Sequence, residues 1–345
     1  AVGTRHHLTY GIDHYADEVE SSRTRTDFVT GATSDRAPRF PDGSTMSQAG
    51  AFVADDWSVG ERLDVLGGAR WNMSRTRLPA SGEFAATTVE DDAFTGNLGV
   101  ACAVTPSVRL VANVGQGFRA PNVFDLGTFG DRPGNRFNVP NPDLEPEEVT
   151  TFDAGWKVRN DQLQGELIGY YSRYRDKITS VLTSEVTDSG RQVVQSRNAA
   201  RLVLYGAEFS LRHRLSDSVE WRTQLTWTRG EETLEGDDHP ADRIPPLNGS
   251  AGITWRPAIR WTLDGWLNFA DQQDRYSPRD EIDPRIRPGS TPGWTTFNVR
   301  AAWEASEHAY ASLQYGNIGD HRYREFGSGL DAAGRGIVLT LELRL

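Results

Sequence analysis

The spacing of strand-like segments is the feature that most limits what this chain can fold into. About 14 segments have strand character, and most are far longer than the roughly 5–6 residues of an ordinary strand. Their connections alternate strictly between short turns and long loops. Tight turns at one end and long loops at the other are typical of a barrel that spans an outer membrane. The segments lie near residues 5–17, 46–57, 62–75, 93–104, 107–116, 148–159, 162–177, 202–215, 219–230, 247–256, 261–273, 294–304, 308–317 and 335–345.

The residue pattern within these segments has a period of two. In the last one, Ile337, Leu339 and Leu341 alternate with Thr340 and Glu342, which places the two sets on opposite faces of a strand. A protein core would not accept unpaired charges on the polar face, whereas a polar lumen would. The sequence therefore predicts an all-β fold, a transmembrane antiparallel β-barrel whose apolar face meets lipid. Charges predicted for the polar face are Asp64, Arg70, Arg109, Glu166, Glu208, Arg222 and Arg300.

Tryptophans lie near the ends of many of these segments. Aromatic girdles at the two membrane interfaces would produce such a distribution, although ordinary sheet packing is the alternative. Together with the alternating loop lengths, the girdle interpretation is favoured. The tryptophans concerned are Trp57, Trp71, Trp156, Trp221, Trp227, Trp255, Trp261, Trp294 and Trp303.

Composition excludes several classes of function. The net charge of -11 argues against nucleic-acid binding. The single Cys102 leaves no intrachain disulfide and no cysteine-based metal site. Apolar runs are far shorter than the roughly 20 residues of a membrane helix. The chain begins directly with a predicted strand after Ala1-Val2-Gly3-Thr4, which for an exported protein predicts a mature form or a fragment.

The loop at 117–147 carries two proline-containing motifs. It opens with Phe118-Arg119-Ala120-Pro121 and closes with Asn141-Pro142-Asp143-Leu144-Glu145-Pro146-Glu147. Each proline pushes the preceding residue out of the helical region. We therefore expect a stiff loop that is neither helix nor sheet, at one rim of the barrel.

These motifs resemble those of the TonB-dependent outer-membrane receptors. The segment with Asn317, Asp320 and Tyr323 before the last strand is similar to that family's N-x-x-D-x-x-Y pattern. The resemblance implies a barrel of 22 strands around an N-terminal plug, located in the outer membrane of a Gram-negative-type bacterium. Residues 1–345 would then be the C-terminal portion of the barrel, with the plug and about eight strands upstream of residue 1.

The resemblance also implies a function, namely TonB-dependent uptake of a scarce nutrient, with an iron-siderophore or a haem-type compound as the expected ligand. The partners would be the TonB complex acting through the plug, outer-membrane lipid and a small iron chelate; no resident cofactor and no nucleic acid are implied. Arginines of the central loop could attract an anionic chelate, and its aromatic rings could stack on a planar group. The predicted ligand contacts are Arg119, Phe124, Phe129, Arg132, Arg136 and Phe137, although packing between loops is an alternative role for each.

Two other functions remain open at this stage. A self-contained passive pore of 14 strands would need no upstream plug, since an even strand number can close. An outer-membrane enzyme would need a serine or histidine beside an acidic side chain at the rim of the barrel. No possible nucleophile in this chain lies in a sequence context typical of a catalytic residue. Haem receptors place an iron-ligating histidine between the two motifs, but residues 122–140 contain none.

Histidines and acidic loops give little sign of a metal site. His6 and His7 are adjacent on a predicted strand, so they should point to opposite faces. Residues 271–285 and 231–238 are acidic loops whose oxygens could hold Ca²⁺, but they lack the ligand and glycine spacing of an EF-hand. We therefore predict hydrated loop acids and no metal site.

Overall fold

The computed structural model describes residues 5–80, 85–132 and 135–344, and over these it is almost entirely β-structure. No helix in the described part is long and apolar enough to cross a membrane. In chain order the elements are β1 (Arg5–Val19), β2 (Thr24–Thr26), β3 (Thr33–Asp35), β4 (Ser44–Val59), β5 (Leu63–Leu78), β6 (Thr87–Thr105), β7 (Val108–Arg119), α1 (Val123–Gly127), β8 (Gly130–Arg132), β9 (Arg136–Val139), β10 (Glu147–Arg159), β11 (Leu163–Val186), β12 (Gln192–Arg214), β13 (Val219–Leu234), β14 (Asp237–Pro240), β15 (Asn248–Ala258), β16 (Trp261–Ala270), α2 (Pro278–Glu281), β17 (Trp294–Ser306), β18 (Ala309–Gly316) and β19 (Gly336–Leu343).

The long strands form one antiparallel meander in which each strand pairs with the next long strand along the chain. Five short strands, β2, β3, β8, β9 and β14, belong to the long loops. The predicted all-β architecture of about 14 long strands is therefore confirmed. Within the described residues, the edge strands β1 and β19 each pair on one side only, so the sheet is open there.

The register separates an apolar face from a polar face. Leu98, Val114, Phe152 and Tyr171 lie directly opposite one another on four successive strands, all on the apolar face. Six tryptophans lie on this face within about four residues of a short turn, as an interfacial girdle requires. They are Trp57, Trp156, Trp221, Trp255, Trp261 and Trp303.

Charged side chains predicted for the polar face lie there, and six of the seven, all except Glu208, form ion pairs across strands within the described residues. Arg109 pairs with Asp64 at 2.9 Å, and Lys157 pairs with Glu166 at 3.2 Å. His6 and His7 face opposite sides, as predicted, because they lie opposite Trp57 and Asp56 in the β1–β4 register. Pairing explains how a sheet face can carry so many charges at low energetic cost.

One carboxylate on the polar face is almost completely buried. Only 2% of the Asp264 side chain is exposed, and it lies between two arginines. Its Oδ2 accepts from Arg300 Nη2 at 2.7 Å, and its Oδ1 accepts from Arg222 Nη2 at 3.2 Å. The Thr254 hydroxyl also donates to Oδ1, at 2.6 Å. This group ties together strands β13, β15, β16 and β17.

The hydrophobic core lies under the long loops and not between two layers of structure. It consists of Leu78, Val123, Leu126 and Leu144, all buried. Val19, Phe40, Val89 and Ile178 pack around it. The central loop thus supplies three of the four buried members, and it is anchored to the end of β5 by apolar contact.

The central loop contains more regular structure than predicted. The expectation that it is neither helix nor sheet is wrong, because it contains α1 and the β8–β9 hairpin. Asn122 caps the helix by accepting from the backbone of Phe124 and Asp125, and the Asp125 carboxylate accepts from the Asn122 backbone N–H in return. Such a reciprocal cap stabilises even one turn of helix, which the prolines alone would not suggest.

Two further expectations need correction. The loop predicted at 178–201 is mostly strand, since β11 runs to Val186 and β12 starts at Gln192.

Trp294 does not belong to the girdle: it shares the polar face with Thr296, and its ring centroid lies 4.2 Å from that of Tyr323. Period two places the even-numbered residues of β17, Trp294 among them, away from lipid. A position near a strand end therefore does not by itself assign a tryptophan to the girdle.

Candidate functional site

The two motifs of the central loop meet through an arginine and two carboxylates. Arg119 ends β7 directly opposite Glu147, which begins β10. The Arg119 Nε donates to Glu147 Oε2 at 2.7 Å, and its Nη1 donates to Asp125 Oδ2 at 2.5 Å. The second Glu147 oxygen accepts from the Ile178 backbone N–H at 2.6 Å. The two ends of the loop are thereby joined to each other and to β11.

Other motif residues bury the loop against its surroundings. Ala120 and Pro121 are buried, and the Thr76 hydroxyl donates to the Pro121 carbonyl at 3.4 Å. Leu144, with 3% of its surface exposed, belongs to the buried core. Phe118 lies at the end of β7, next in sequence to Ala120 and Pro121. Pro142 and Pro146 lie on either side of Leu144 in the segment that leads to β10. The motifs therefore hold the loop in place.

Asparagine side chains connect the second motif to the β11–β12 hairpin. The Asn141 side chain donates to the Ser196 carbonyl at 2.8 Å. The Asn198 side chain accepts from the Glu145 N–H at 2.9 Å and donates to the Glu145 carbonyl at 2.7 Å. In addition, β9 pairs in parallel with the start of β12. Central loop and hairpin therefore form one connected structure at the long-loop end of the sheet.

Four arginines converge on this structure from three different loops; we call them the mouth arginines, Arg39, Arg132, Arg136 and Arg279. Arg132 and Arg136 lie directly opposite each other in the β8–β9 hairpin. Burial lowers the pKa of Arg132, and the positive charges of Arg136, Arg279 and Arg39 lower it further. Like charges directly opposite are unfavourable in a sheet, so this arrangement favours an anionic partner.

Within the described residues, only one mouth arginine has a carboxylate partner. Arg279 donates to Asp242 Oδ2 at 2.9 Å and to the Thr179 hydroxyl. Arg39, Arg132 and Arg136 make no ion pair with the described part of the chain. The nearby Asp131 instead pairs with Arg191. The mouth therefore carries an excess of positive charge, although the chain as a whole is acidic.

Aromatic rings lie beside these arginines. Phe129 and Phe137 form an edge-to-face pair with centroids 5.1 Å apart. Phe40 and Phe124 lie 6.0 Å apart, and the Arg39 guanidinium stands 5.5 Å from the Phe124 centroid. Phe124 is half exposed, so one ring face remains accessible. Guanidinium groups and rings together offer charge and stacking to a planar anion.

The structure brings together five of the six residues predicted to contact ligand. Arg132, Arg136, Phe129 and Phe137 share the β8–β9 region, and Phe124 lies on α1 beside Arg39. Arg119 differs, since its guanidinium is held by two carboxylates of the motifs. Sequence reasoning missed Arg39, Phe40 and Arg279. Arg39-Phe40 repeats the arginine–phenylalanine pairing of Arg136-Phe137, which is the one signal that pointed to it.

The two acidic loops are neutralised largely by arginine and lysine. Arg243 pairs with Asp283, and Glu232 accepts from Lys177 at 2.7 Å. The Arg285 side chain donates to Asp283, and this hydrogen bond lowers the pKa of that carboxyl to about 2. Among the described residues, no three histidine, cysteine, aspartate or glutamate side chains gather as metal ligands.

Replacing Glu147 by alanine is expected to lower the free energy of unfolding by about 1.5–3 kcal/mol, since its carboxylate loses the hydrogen bonds that it accepts from Arg119 Nε and from the Ile178 backbone N–H. Urea unfolding in lipid vesicles measures the change. Glu148→Ala is the matched control, because that neighbouring carboxylate is exposed and lies on the apolar face. Equal losses for both variants would contradict the structural role of Glu147.

Comparison with known proteins agrees with this geometry. A family model described as "TonB dependent receptor-like, beta-barrel" matches residues 1–318. The iron-regulated outer membrane virulence protein of Vibrio cholerae serotype O1 is 23% identical over 348 residues, covering 95% of this chain and 49% of that protein. The metal-pseudopaline receptor CntO of Pseudomonas aeruginosa is 27% identical over 282 residues, covering 80% of this chain and 37% of that protein. The solved copper transporter OprC superimposes with a TM-score of 0.81 at 19% identity, covering 98% of this chain and 54% of that chain.

The chain belongs to the TonB-dependent receptors and forms part of their outer-membrane β-barrel. It spans about half the length of the curated relatives that it matches over nearly its whole length. The family consists of transport receptors located in the outer membrane of Gram-negative bacteria. The apolar face of the sheet therefore contacts lipid, and the long loops lie on the extracellular side.

Proposed function

We propose that this chain is part of a receptor that imports an anionic iron chelate of the siderophore type. The observation that carries the proposal is the convergence of four arginines and two aromatic pairs at the extracellular mouth. Ferric chelates that bear carboxylate or catecholate groups present negative charge and planar rings to such a surface. Relatives include a ferric enterobactin receptor and a ferric aerobactin receptor, which supports this ligand class.

In the proposed mechanism, the chelate binds first to the extracellular loops. Guanidinium groups of Arg132 and Arg136 neutralise its charge, and the Phe124 ring contacts its planar part. A plug domain within the barrel then completes the site. The TonB complex acts on that plug to open a passage, and the polar face of the sheet lines the route. A haem-type ligand is less well supported, because residues 122–140 contain no histidine to bind iron.

We further propose that residues 1–345 form the C-terminal portion of a longer barrel with a plug upstream. The single-sided pairing of β1 and β19 supports additional strands, since open edges leave backbone groups unsatisfied in lipid. Sequencing the coding region upstream of Ala1 tests this directly. A plug with a TonB-binding box and about eight further strands is the expected result. A signal peptide immediately before Ala1 would instead favour a self-contained passive pore.

The double variant Arg132→Ala/Arg136→Ala is expected to bind a ferric siderophore roughly 10–100-fold more weakly, because charge-assisted contacts to the anion are lost. Binding of ferric aerobactin and ferric enterobactin to cells that carry the receptor measures the effect. Arg25→Ala/Arg322→Ala removes two exposed loop arginines and serves as the matched control. Equal binding by both double variants would contradict the proposed site.

A further inference from the structure

A cavity of about 580 Å³ lies on the polar face of the sheet, under loops other than the central loop. Its floor includes one cross-strand row on β13, β15, β16 and β17, formed by Thr226, Asn248, Ala270 and Trp294. The strands β15, β16 and β17 each begin or end at this row, whereas β13 continues to Leu234. The space above the three strand ends has the size of a small-molecule site, which measures about 300–1,000 Å³.

Three loops form the walls of the cavity and are tied to one another. They contribute Pro245 and Pro246, Thr291 and Pro292, and Glu325 and Phe326. Gln273 exchanges both backbone hydrogen bonds with Thr291, each at 2.9 Å, and its side chain donates to the Ile244 carbonyl at 2.6 Å. The Tyr276 ring stacks on Phe326 with centroids 5.8 Å apart, and its hydroxyl lies 2.9 Å from that of Thr291. The cavity is therefore built into the packing of the loops before any ligand arrives.

The charges that line the cavity are all negative. Among its described lining residues only Asp271 and Glu325 ionise at neutral pH, and none is a lysine, an arginine or a histidine. Both carboxylates are exposed and so accessible to a ligand. No ion pair between described residues includes either of them, and Arg324, next to Glu325 in sequence, pairs with Asp331 at 2.8 Å instead. The cavity therefore carries negative charge that the chain itself does not neutralise.

Aromatic rings lie beside these carboxylates. The Trp294 ring lines the cavity, and its centroid lies 4.2 Å from that of Tyr323. Burial raises the pKa of Tyr323, and the negative charge of Glu325 raises it further, so this carboxylate lies close to the same group of rings. Phe326 supplies another ring of the lining. Aromatic faces attract cations, and the indole of tryptophan does so most strongly.

We propose that this cavity binds the primary ammonium group of a small organic amine. The carboxylates of Asp271 and Glu325 accept hydrogen bonds from the ammonium, and the Trp294 ring contacts its charge and its alkyl chain. Side-chain oxygens of Thr226 and Asn248 on the floor are further acceptors. Two carboxylates would repel an anion, and a neutral alcohol would leave both without a counter-charge.

The test uses the protein expressed from its complete coding region and purified in mild detergent, with binding measured by isothermal titration. Two sources can supply the ammonium, a free amine or a ferric chelate that carries an amine. For the first source, 1,5-diaminopentane is compared with the neutral 1,5-pentanediol. For the second, ferrioxamine B, which bears a primary ammonium, is compared with its N-acetyl derivative, which does not.

The charged member of a pair is expected to bind roughly tenfold or more tightly than its neutral partner. A preference in the first pair identifies a free amine as a ligand, and a preference in the second pair alone identifies an amine-bearing chelate. Equal binding within both pairs, or no binding of either amine, would overturn the proposal.

A double variant assigns the binding to the two carboxylates. Asp271→Asn/Glu325→Gln removes the charges and keeps the shape of both side chains, so it is expected to weaken amine binding by roughly 10–100-fold. Binding of the neutral partner should change little. Glu235→Gln/Asp237→Asn is the matched control, because it neutralises two exposed loop carboxylates that do not line the cavity. Equal amine binding by both double variants would contradict the proposed site.

A further variant tests the cavity without changing its charge. Ala270→Phe places a ring on the floor and is expected to weaken amine binding roughly tenfold or more. Ala101→Phe is its control, since Ala101 lies on the polar face of β6 away from the cavity. Heat-modifiable migration on gels verifies that each variant is folded. Undiminished amine binding by folded Ala270→Phe would place the ligand elsewhere and overturn the proposal.

The amine site is separate from the proposed iron-chelate site, because none of the mouth arginines lines the cavity. Binding of ferric aerobactin is therefore measured in parallel. Asp271→Asn/Glu325→Gln should retain it, and Arg132→Ala/Arg136→Ala should retain binding of 1,5-diaminopentane. Failure of one proposal can thus be distinguished from failure of the other.

Discussion

Replacing Asp264 by alanine is expected to lower the free energy of unfolding by about 2–4 kcal/mol, because its charge-assisted hydrogen bonds are lost while the two half-exposed arginines regain contact with water. The variant leaves the guanidinium groups of Arg222 and Arg300 facing each other without the carboxylate that separates them. It also removes the acceptor of the Thr254 hydroxyl, whose residue is only 3% exposed. Urea unfolding in lipid vesicles, followed by tryptophan fluorescence, measures the change.

Two further variants make this result specific. Asp264→Asn keeps an acceptor for Thr254 but loses the charge, so an intermediate loss of stability is expected. Glu307→Ala removes a carboxylate whose side chain is 87% exposed at a short turn, and a change within about 0.5 kcal/mol is expected. If Asp264→Ala were as stable as Glu307→Ala, the buried ion pair would have no stabilising role.

Leu144→Ala is the second variant with a large expected effect, a loss of about 2–5 kcal/mol. Leu144 is 3% exposed and packs with Leu78, Val123 and Leu126 under the central loop. Its truncation leaves a cavity at the contact between the loop and the end of β5. Hydrogen exchange should therefore rise first in α1 and in the β8–β9 hairpin, because these elements depend on that contact.

Leu330→Ala is the control for this prediction, because Leu330 is 78% exposed in another loop. It should change neither the unfolding free energy nor the exchange rates of the central loop. A uniform increase in exchange over the whole sheet in Leu144→Ala would contradict a local role for this core. Retained siderophore binding in that variant would show that the mouth arginines tolerate a loosened loop.

The sheet could be predicted from the sequence because its signals are local. Period-two alternation and the alternating loop lengths depend only on neighbouring residues, and each short connection lies between the two long strands that it was expected to join. The common face of Arg109 and Asp64 could also be predicted, because parity along each strand sets it, whereas their ion pair was not predicted. The ends of β11 and β12 could not be predicted, because both strands continue beyond the membrane-facing part of the sheet. There, no lipid contact requires every second side chain to be apolar.

The site could be predicted only in part because it depends on distant loops. Arg132 and Arg136 lie in one hairpin, so their proximity is encoded in a few residues. Arg39 and Arg279 join them only through packing between loops far apart in the chain, and single-sequence patterns carry no information on that packing. The helix α1 was missed although Asn122 and Asp125 have the spacing of a reciprocal cap.

The parallel pairing of β9 with β12 has a consequence for engineering this receptor. Because β9 of the central loop pairs with β12, the loop and the β11–β12 hairpin would have to be exchanged together in a chimaeric protein. A chimaera that transplants residues 117–147 alone would leave Asn141 and Glu145 facing a foreign hairpin. A transplant that keeps these contacts therefore has to include the tip of the β11–β12 hairpin together with the loop.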